Sequence, residues 1–299
     1  MFNRLKHWLG FSDRGRIIRP SPALWARVEA RLPFFAYLPA RIRPRLRALA
    51  VDFLARKEFY GAHGLPLTDE IMLTIAAQAC LLILERGLDA YCGWSGIVVY
   101  PGEFIVPRRE MDEAGVVHEY EIPLVGEAWP DGPVLVAWFD EDEEEDENGD
   151  DDGDKSGMSP DDSCLNVVIH EFAHKLDMGN GDVNGFPRLP PGMSRLQWAQ
   201  AFSAAYRHLC ELIDAGIETV LDPYAALNPG EFFAVASESF FETPLRLRAA
   251  FPAVYKQLAA YYGLDTATGE AGVRDRRSRP GDRGTGIGDR IRETLGRIS

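Results

Sequence analysis

The sequence predicts an α+β fold, in which a small mixed or antiparallel sheet lies between two groups of helices. Helical spacing of apolar residues dominates positions 21–87 and again positions 163–262. Short runs rich in β-branched and aromatic residues are confined to positions 96–139. Strands grouped in this way, rather than alternating with helices, are typical of α+β domains. With 46% hydrophobic residues among 299, the chain is long enough to bury a full core.

Capping residues place the N-terminal helices. The expected helices span residues 22 to about 32, 43 or 44 to 60, and 69 to about 86. Ser21 and Thr68 have side chains suited to cap the first and third of these, while Gly61 and Gly87 end the second and third. The longest apolar stretch, residues 71–84, is too short to span a bilayer, so we expect a buried core helix and no transmembrane segment.

The middle and C-terminal elements follow from β-rich runs and further helical patterns. Pro and Gly turns separate four expected strands, at residues 96–100, 103–106, 116–122 and 134–139. Ser163 is expected to cap a helix that runs to Met178 and ends at Gly179. Further helices are expected at about 194–214, 229–242 and 250–262.

Charge and composition divide the chain into three parts. Residues 1–20 form a basic arm, residues 21–263 the folded domain, and residues 264–299 an Arg- and Gly-rich tail that we expect to be disordered. Within the domain, an acidic insertion at 140–162 includes 12 acidic residues between positions 140 and 154, so the net charge of −14 is concentrated there. This balance argues against direct nucleic-acid binding. The first residues lack the apolar run of a signal peptide, which predicts a cytoplasmic protein.

The strongest functional signal is the sequence HEFAH at residues 170–174. Two imidazoles four residues apart on a helix lie on one face, about 40° apart around its axis, so His170 and His174 can bind one metal ion. Glu171 points to the neighbouring face and can reach a metal-bound water without ligating the metal. Zinc peptidases use this arrangement, in which zinc lowers the pKa of its water and the glutamate accepts the proton.

A third ligand is expected, because a catalytic zinc normally takes three protein ligands and leaves one position open. Asn228 and Pro229 signal the start of a helix, and Glu231 and Glu238 share one face of it. Burying a carboxylate on the inner face of an apolar helix is costly unless the carboxylate has a partner, and a metal ion would be such a partner. Spacing alone leaves both carboxylates as candidates, since Glu231 also fits a capping box and Glu238 also fits a hydrogen bond in the core.

Asp177 follows on the same helical stripe as the two histidines. One interpretation is that it orients a zinc-bound histidine through the other ring nitrogen. The other is that it is an exposed carboxylate at the C-terminus of the helix. The sequence does not separate these interpretations.

The motif blocks HEFAHKLD at 170–177 and DPYAALNPGEFFAV at 222–235 resemble those of the MtfA (Mlc titration factor A) family, which are zinc-dependent peptidases of the glutamate-zincin type. The likeness covers about residues 20–263. It implies a zincin-like metallopeptidase domain with the sheet packed on the HExxH helix. It also implies that His170, His174 and Glu231 bind one Zn²⁺ ion, that Glu171 is the general base, and that Tyr224 is a catalytic phenol near the metal. From the residues alone, Tyr224 also fits a turn that carries a packed ring.

The resemblance also carries expectations about function. It implies aminopeptidase-like activity on small peptide or protein substrates and, in some bacteria, binding of the transcriptional repressor Mlc in the control of glucose uptake. The alternative is a zinc-containing binding protein that sequesters a regulator. An intact HExxH favours catalysis, because sequestration alone does not need Glu171.

Related zinc peptidases pair an extended substrate with an edge strand above the metal. The strand at 134–139 precedes the metal helix in sequence and is a candidate for this role. An ordinary core strand is the alternative.

Overall fold

The computed structural model describes residues 18–111, 117–139 and 166–278. The acidic insertion at 140–162 lies wholly outside this part of the chain, and the basic arm at 1–20 and the tail predicted at 264–299 lie largely outside it. Within the described ranges, no helix combines the length and the apolar character needed to cross a bilayer.

The described residues confirm the predicted mixture of helices with a small sheet. The helices are α1 (Pro22–Arg31), α2 (Arg43–Arg56), α3 (Asp69–Leu82), α4 (Val167–Asp177), α5 (Arg195–Asp214), α6 (Pro229–Glu242), α7 (Pro244–Ala250), α8 (Pro252–Tyr262) and α9 (Thr266–Ser278). The hydroxyl groups of Ser21 and Thr68 cap α1 and α3 as predicted, each accepting a hydrogen bond of 3.1 Å from the amide three residues later.

The sheet is mixed, one of the two types expected. The strands are β1 (Glu58–Gly61), β2 (Gly96–Tyr100), β3 (Phe104–Met111), β4 (Val117–Leu124), β5 (Gly126–Ala128) and β6 (Val134–Ala137). Four of them form one sheet in the order β1-β2-β6-β5, in which β5 alone is antiparallel to its neighbour. The other two form a separate antiparallel pair, β3-β4. Every residue of β6 is buried, as is typical of a parallel strand covered on both faces.

The second helix was predicted too long, because α2 ends at Arg56 and residues 58–61 form β1. Lys57 leaves the helix with extended dihedral angles, and its ammonium group donates hydrogen bonds to the carbonyls of Tyr91 and Trp94. The following residues then pair with β2, which begins at Gly96. Pairing with a strand so far along the chain overrides the local helical pattern of residues 58–60.

Of the two interpretations of the strand at 134–139, the structure agrees with the core strand. β6 is an interior strand, paired with β2 on one side and with β5 on the other. The edge of the sheet on this side is β5, a strand of three residues that the sequence did not predict. A strand this short, with Gly and Ala at its ends, lacks the alternating apolar pattern on which prediction depends.

Helix α4 lies at the centre of the fold, in contact with α3, α6, β5 and β6. Its Phe172 is fully buried, with ring centroids 5.3–5.8 Å from those of Phe53, Tyr91 and Trp94. Residues two apart on a helix point in nearly opposite directions, so this aromatic cluster anchors the side of α4 away from His170 and His174.

The C-terminal segment departs from the prediction of a disordered tail, because residues 266–278 form α9. The Thr266 hydroxyl donates to the Phe240 carbonyl at 2.6 Å, and the buried Glu270 carboxylate accepts from the Leu245 amide at 2.9 Å. Few apolar residues occur in this segment, so its attachment depends on polar contacts with distant parts of the chain. Composition does not report such contacts.

The contact between α9 and the segment around Tyr37 can be tested by substituting two glycines of α9 with alanine. A Cβ atom on Gly269 would overlap the Tyr37 carbonyl oxygen, so we expect Gly269→Ala to lower the free energy of unfolding by about 1–3 kcal/mol in urea denaturation. The matched control is Gly272→Ala, where the nearest atom, on Arg276, would lie 3.6 Å away. Alanine there should be neutral or stabilise by up to about 1 kcal/mol, because it favours a helix. Equal effects at both positions would contradict this packing.

Candidate metal centre

Helix α4 presents the HEFAH residues from a buried position. Its N-cap is Asn166, whose side-chain oxygen accepts from the Ile169 amide at 3.0 Å. The predicted cap, Ser163, lies outside the described residues, and the helix begins after Asn166 instead. His170, Glu171 and His174 are each less than a tenth exposed, although all three are polar. Buried polar side chains of this kind require partners.

The structure brings His170 and His174 together with Glu231, one of the two carboxylates between which spacing did not decide. Oε2 of Glu231 lies 3.0 Å from Nε2 of His170 and 3.2 Å from Nε2 of His174. The two Nε2 atoms are 3.0 Å apart. In the described part of the chain this is the only group of three or more His, Cys, Asp or Glu side chains with ligand atoms close enough to hold a metal ion.

The three donor atoms fit a small divalent ion. Ligand atoms of a tetrahedral zinc site lie about 3.3 Å apart when the bonds are 2.0–2.1 Å long, close to the 3.0–3.2 Å separations observed here. Imidazole nitrogens combined with one carboxylate oxygen also match the ligand types of catalytic zinc sites. The histidines and Glu231 therefore have both the spacing and the chemistry to hold a metal.

The first turn of α6 sets the position of Glu231. The Asn228 side chain caps this helix, accepting from the amides of Gly230 and Glu231 at 2.9 and 3.0 Å, and Pro229 occupies the first helical position as predicted. The Glu231 side chain faces the two histidines. Burial alone raises the pKa of Glu231, but hydrogen bonds with His170 and His174 outweigh that effect and lower it to about 2.

Glu238, the other candidate, lies behind His170. Its Oε1 is 2.7 Å from Nδ1 of His170, and its Oε2 accepts from the Asn166 amide at 2.6 Å. Glu231 and Glu238 do share a face of α6, but they meet opposite nitrogens of the same ring. A carboxylate on Nδ1 fixes the ring orientation and leaves Nε2 free to bind a metal.

Glu171 is next to His170 in the chain, but its carboxylate does not belong to the group of three donor atoms. Its carboxylate rests against Gly126 of the edge strand β5, where any side chain would overlap it. The pKa of Glu171 is raised to about 8, mainly by burial; the carboxylates of Glu231, Glu127 and Glu238 contribute to this rise, and His170 partly offsets it. No sequence signal indicated the requirement for glycine at position 126.

Tyr224 lies near His170, in a short 3₁₀ helix over Pro223–Ala226. The two ring centroids are 6.0 Å apart, and 40% of the tyrosine surface is exposed. The Asp222 carboxylate accepts from the Tyr224 amide at 2.8 Å and so fixes this turn. Burial, with the nearby Glu231 and Glu171 carboxylates, raises the pKa of Tyr224 to about 12, which keeps the phenol protonated at neutral pH.

Asp177 matches neither interpretation offered by the sequence. It is fully buried, so it is not an exposed carboxylate. It does not orient a histidine either, because its Oδ2 accepts from the Gly185 amide at 2.7 Å, and Nδ1 of His174 has no hydrogen-bond partner among the described residues. Burial raises the pKa of Asp177 to about 6, while the backbone amides of residues 184–186 lower it in part.

Comparison with known proteins shows the family. The model of the glucose-regulated metallo-peptidase M90 family matches residues 13–263. An uncharacterised protein of Synechocystis is 37% identical over 261 residues, which cover 87% of this chain and 90% of that protein. The Mlc titration factor A of Salmonella arizonae is 34% identical (78% of this chain, 88% of that one), and that of Klebsiella pneumoniae is 32% identical (86% and 91%). The resemblance to Mlc titration factor A is thereby confirmed, and the chain belongs to the glucose-regulated metallo-peptidase M90 family.

Proposed function

We propose that the protein is a zinc-dependent peptidase of aminopeptidase type with a zincin-like catalytic domain. The observation that carries this proposal is the convergence of the His170, His174 and Glu231 donor atoms beside a fourth polar side chain, Glu171. Membership of a metallopeptidase family supports it independently.

The chain's own residues would hold one zinc ion through two imidazole nitrogens and one carboxylate oxygen. When bound, zinc supplies Lewis acidity, polarising a scissile carbonyl and lowering the pKa of a coordinated water. Glu238 would keep the His170 ring in the orientation that directs Nε2 to the metal. The described residues add no fourth protein donor to the group, which favours a catalytic site over a closed structural one.

Glu171 would act as the general base. It is buried next to the metal-binding residues, in surroundings that raise its pKa well above that of an exposed glutamate. A nearby divalent cation lowers a carboxyl pKa again, which brings Glu171 into the range where it can accept and return a proton near neutral pH. It would take the proton of the attacking water and deliver it to the leaving amine.

Tyr224 would donate a hydrogen bond to the oxygen that becomes negatively charged as the carbonyl is attacked. Its raised pKa keeps the donor proton in place, and its partial exposure leaves the hydroxyl group accessible to a substrate. Its ring is tilted against that of His170, with the two centroids 6.0 Å apart, which places the phenol next to a metal-binding residue.

The edge strand β5 replaces β6 as the candidate for substrate pairing. It ends the sheet, and no other described strand pairs with its outer side. Gly126 brings this backbone against the Glu171 carboxylate, so a peptide added to the edge would pass beside the proposed base. The preference for a free amino terminus and a cytoplasmic location remain predictions from the sequence and its resemblance.

A second candidate function is binding of a transcriptional repressor of the Mlc type. The relatives from Salmonella and Klebsiella are named for titration of Mlc, and they align with most of this chain. Such binding and peptidase activity are compatible. Substitution of Glu171, the proposed base, separates the two functions, because Glu171 is buried and its loss abolishes hydrolysis without altering the protein surface.

The catalytic claim is tested by Glu171→Gln, which keeps the side-chain volume. We expect wild-type zinc content and a kcat lower by at least about 100-fold, because the proton acceptor is lost. Metal analysis and hydrolysis of peptides with free and N-acetylated amino termini provide the measurements, and only the free peptides should be cleaved by the wild type. The matched control is Glu211→Gln, an exposed glutamate of α5. A variant with both its zinc and full activity would refute the role of Glu171.

The two carboxylates of α6 should differ in their effect on zinc affinity. Glu238→Gln replaces the carboxylate that orients the His170 ring through Nδ1, and we expect it to weaken zinc binding by about 10- to 100-fold. Glu231→Ala removes a ligand and should weaken zinc binding well beyond that range. Competition with a chromophoric chelator measures both affinities. The opposite ranking would make Glu238 the ligand and contradict the proposed site.

Tyr224→Phe tests the phenol without removing the ring. The loss of one donor to the developing negative charge is expected to lower kcat by about 100-fold. KM and zinc affinity should change little, because neither depends on the hydroxyl group. An unchanged kcat would mean that Tyr224 serves only as a packed ring.

A further inference from the structure

Asp177 connects the C-terminal end of α4 to the loop that follows it. It lies three residues after His174, is fully buried, and accepts a hydrogen bond of 2.7 Å from the Gly185 amide. Its other oxygen, Oδ1, has no hydrogen-bond partner among the described residues. Leaving one oxygen of a buried carboxylate without a hydrogen-bond partner is costly. The placement therefore calls for a reason beyond the stability of a surface loop.

Gly185 is held on three sides. Its amide donates to Asp177, its carbonyl accepts from the indole nitrogen of Trp198 at 3.0 Å, and its Cα lies against the carbonyl of Pro229. Its φ of +72° belongs to the left-handed region, and a Cβ atom would overlap the Pro229 oxygen. Only glycine satisfies both the backbone conformation and the close approach.

The residue that Gly185 touches is the first residue of α6, which carries Glu231. The same loop makes a second contact there, because the Val183 side chain fills the space next to Gly230 where a Cβ would lie. The loop thus packs on the first turn of α6, two residues before Glu231. That turn determines where the Glu231 carboxylate meets the two histidines.

These contacts connect α4 to α6 by a second route, in addition to the direct contact between His174 and Glu231. Asp177, one turn after His174, accepts from the Gly185 amide, and Gly185 packs on Pro229. Pro229 begins the turn of α6 that carries Glu231, whose carboxylate contacts His174. We propose that Asp177 is a positioning residue for the metal centre, which sets the place of the third ligand, Glu231, through the contact of Gly185 with Pro229. The inference rests on the proposed function, in which Glu231 binds the metal.

A double-mutant cycle tests whether Asp177 acts through Glu231. Zinc affinity is measured by chelator competition for the wild type, Asp177→Ala, Glu231→Ala and the double variant, all as full chains. We expect Asp177→Ala to weaken zinc binding about tenfold or more in the wild-type background. In the Glu231→Ala background, the same change should weaken it by less than about twofold, because the ligand that Asp177 positions is already absent.

A pair of glycine variants repeats the test without removing the carboxylate. Gly185→Ala pushes the loop against Pro229 and should also weaken zinc binding only when Glu231 is present. The control is Gly181→Ala in the same loop. Its φ of +110° is equally unsuited to alanine, but no atom lies within 4 Å of the added Cβ. Gly181→Ala should lower the thermal stability of the zinc-free protein without changing zinc affinity.

The outcomes separate this inference from the proposed function. If the wild type binds no zinc, or Glu231→Ala binds it as tightly as the wild type, the proposed metal site is wrong. If that site holds but Asp177→Ala and Gly185→Ala leave zinc affinity unchanged, the positioning role is wrong. The role is also wrong if both variants weaken zinc binding equally with and without Glu231, because they would then act through the histidines or the whole fold.

Discussion

His170 lies between two carboxylates of a single helix, and this arrangement couples the two helices on which the site depends. Glu231 faces Nε2 of the ring and Glu238 faces Nδ1, so α4 and α6 must pack in one register for both contacts to form. A rotation of either helix by one residue, about 100°, would leave carboxylates buried without partners. Such a state is strongly disfavoured, since a buried charge without a partner is costly.

The apolar side of α4 also fixes the rotation of this helix about its axis. Phe172 packs among the rings of Phe53, Tyr91 and Trp94, while the polar side of the helix faces α6. The sheet completes the site from a third direction, because β5 brings Gly126 against the Glu171 carboxylate. The polar residues of the centre thus lie on α4 and α6, and β5 contacts one of them, so the centre is formed only when these helices and the sheet are packed together.

Much of this was predictable from local sequence. Ser21, Thr68 and Asn228 cap the helices that they were expected to cap, because a capping hydrogen bond spans only two or three residues. The prediction was wrong where distant pairing decides the conformation. Residues 58–61 become β1 because β2 lies beside them, and residues 266–278 become α9 through contacts with α6 and α7. The family match ends at residue 263, so α9 also lies beyond the part shared with the family model.

The sequence by itself determined that two histidines and a glutamate occupy one helix with metal-binding spacing, because that geometry follows from the helical period alone. It also indicated two carboxylates on one face of α6 as candidates for a third ligand. Only the tertiary structure placed Glu231 at the Nε2 atoms of both histidines and Glu238 at Nδ1 of His170, and it gave Asp177 a partner that neither interpretation had included. The reason is physical: spacing along a helix fixes which face a residue occupies, whereas the depth of that residue and its partner depend on how separate elements pack.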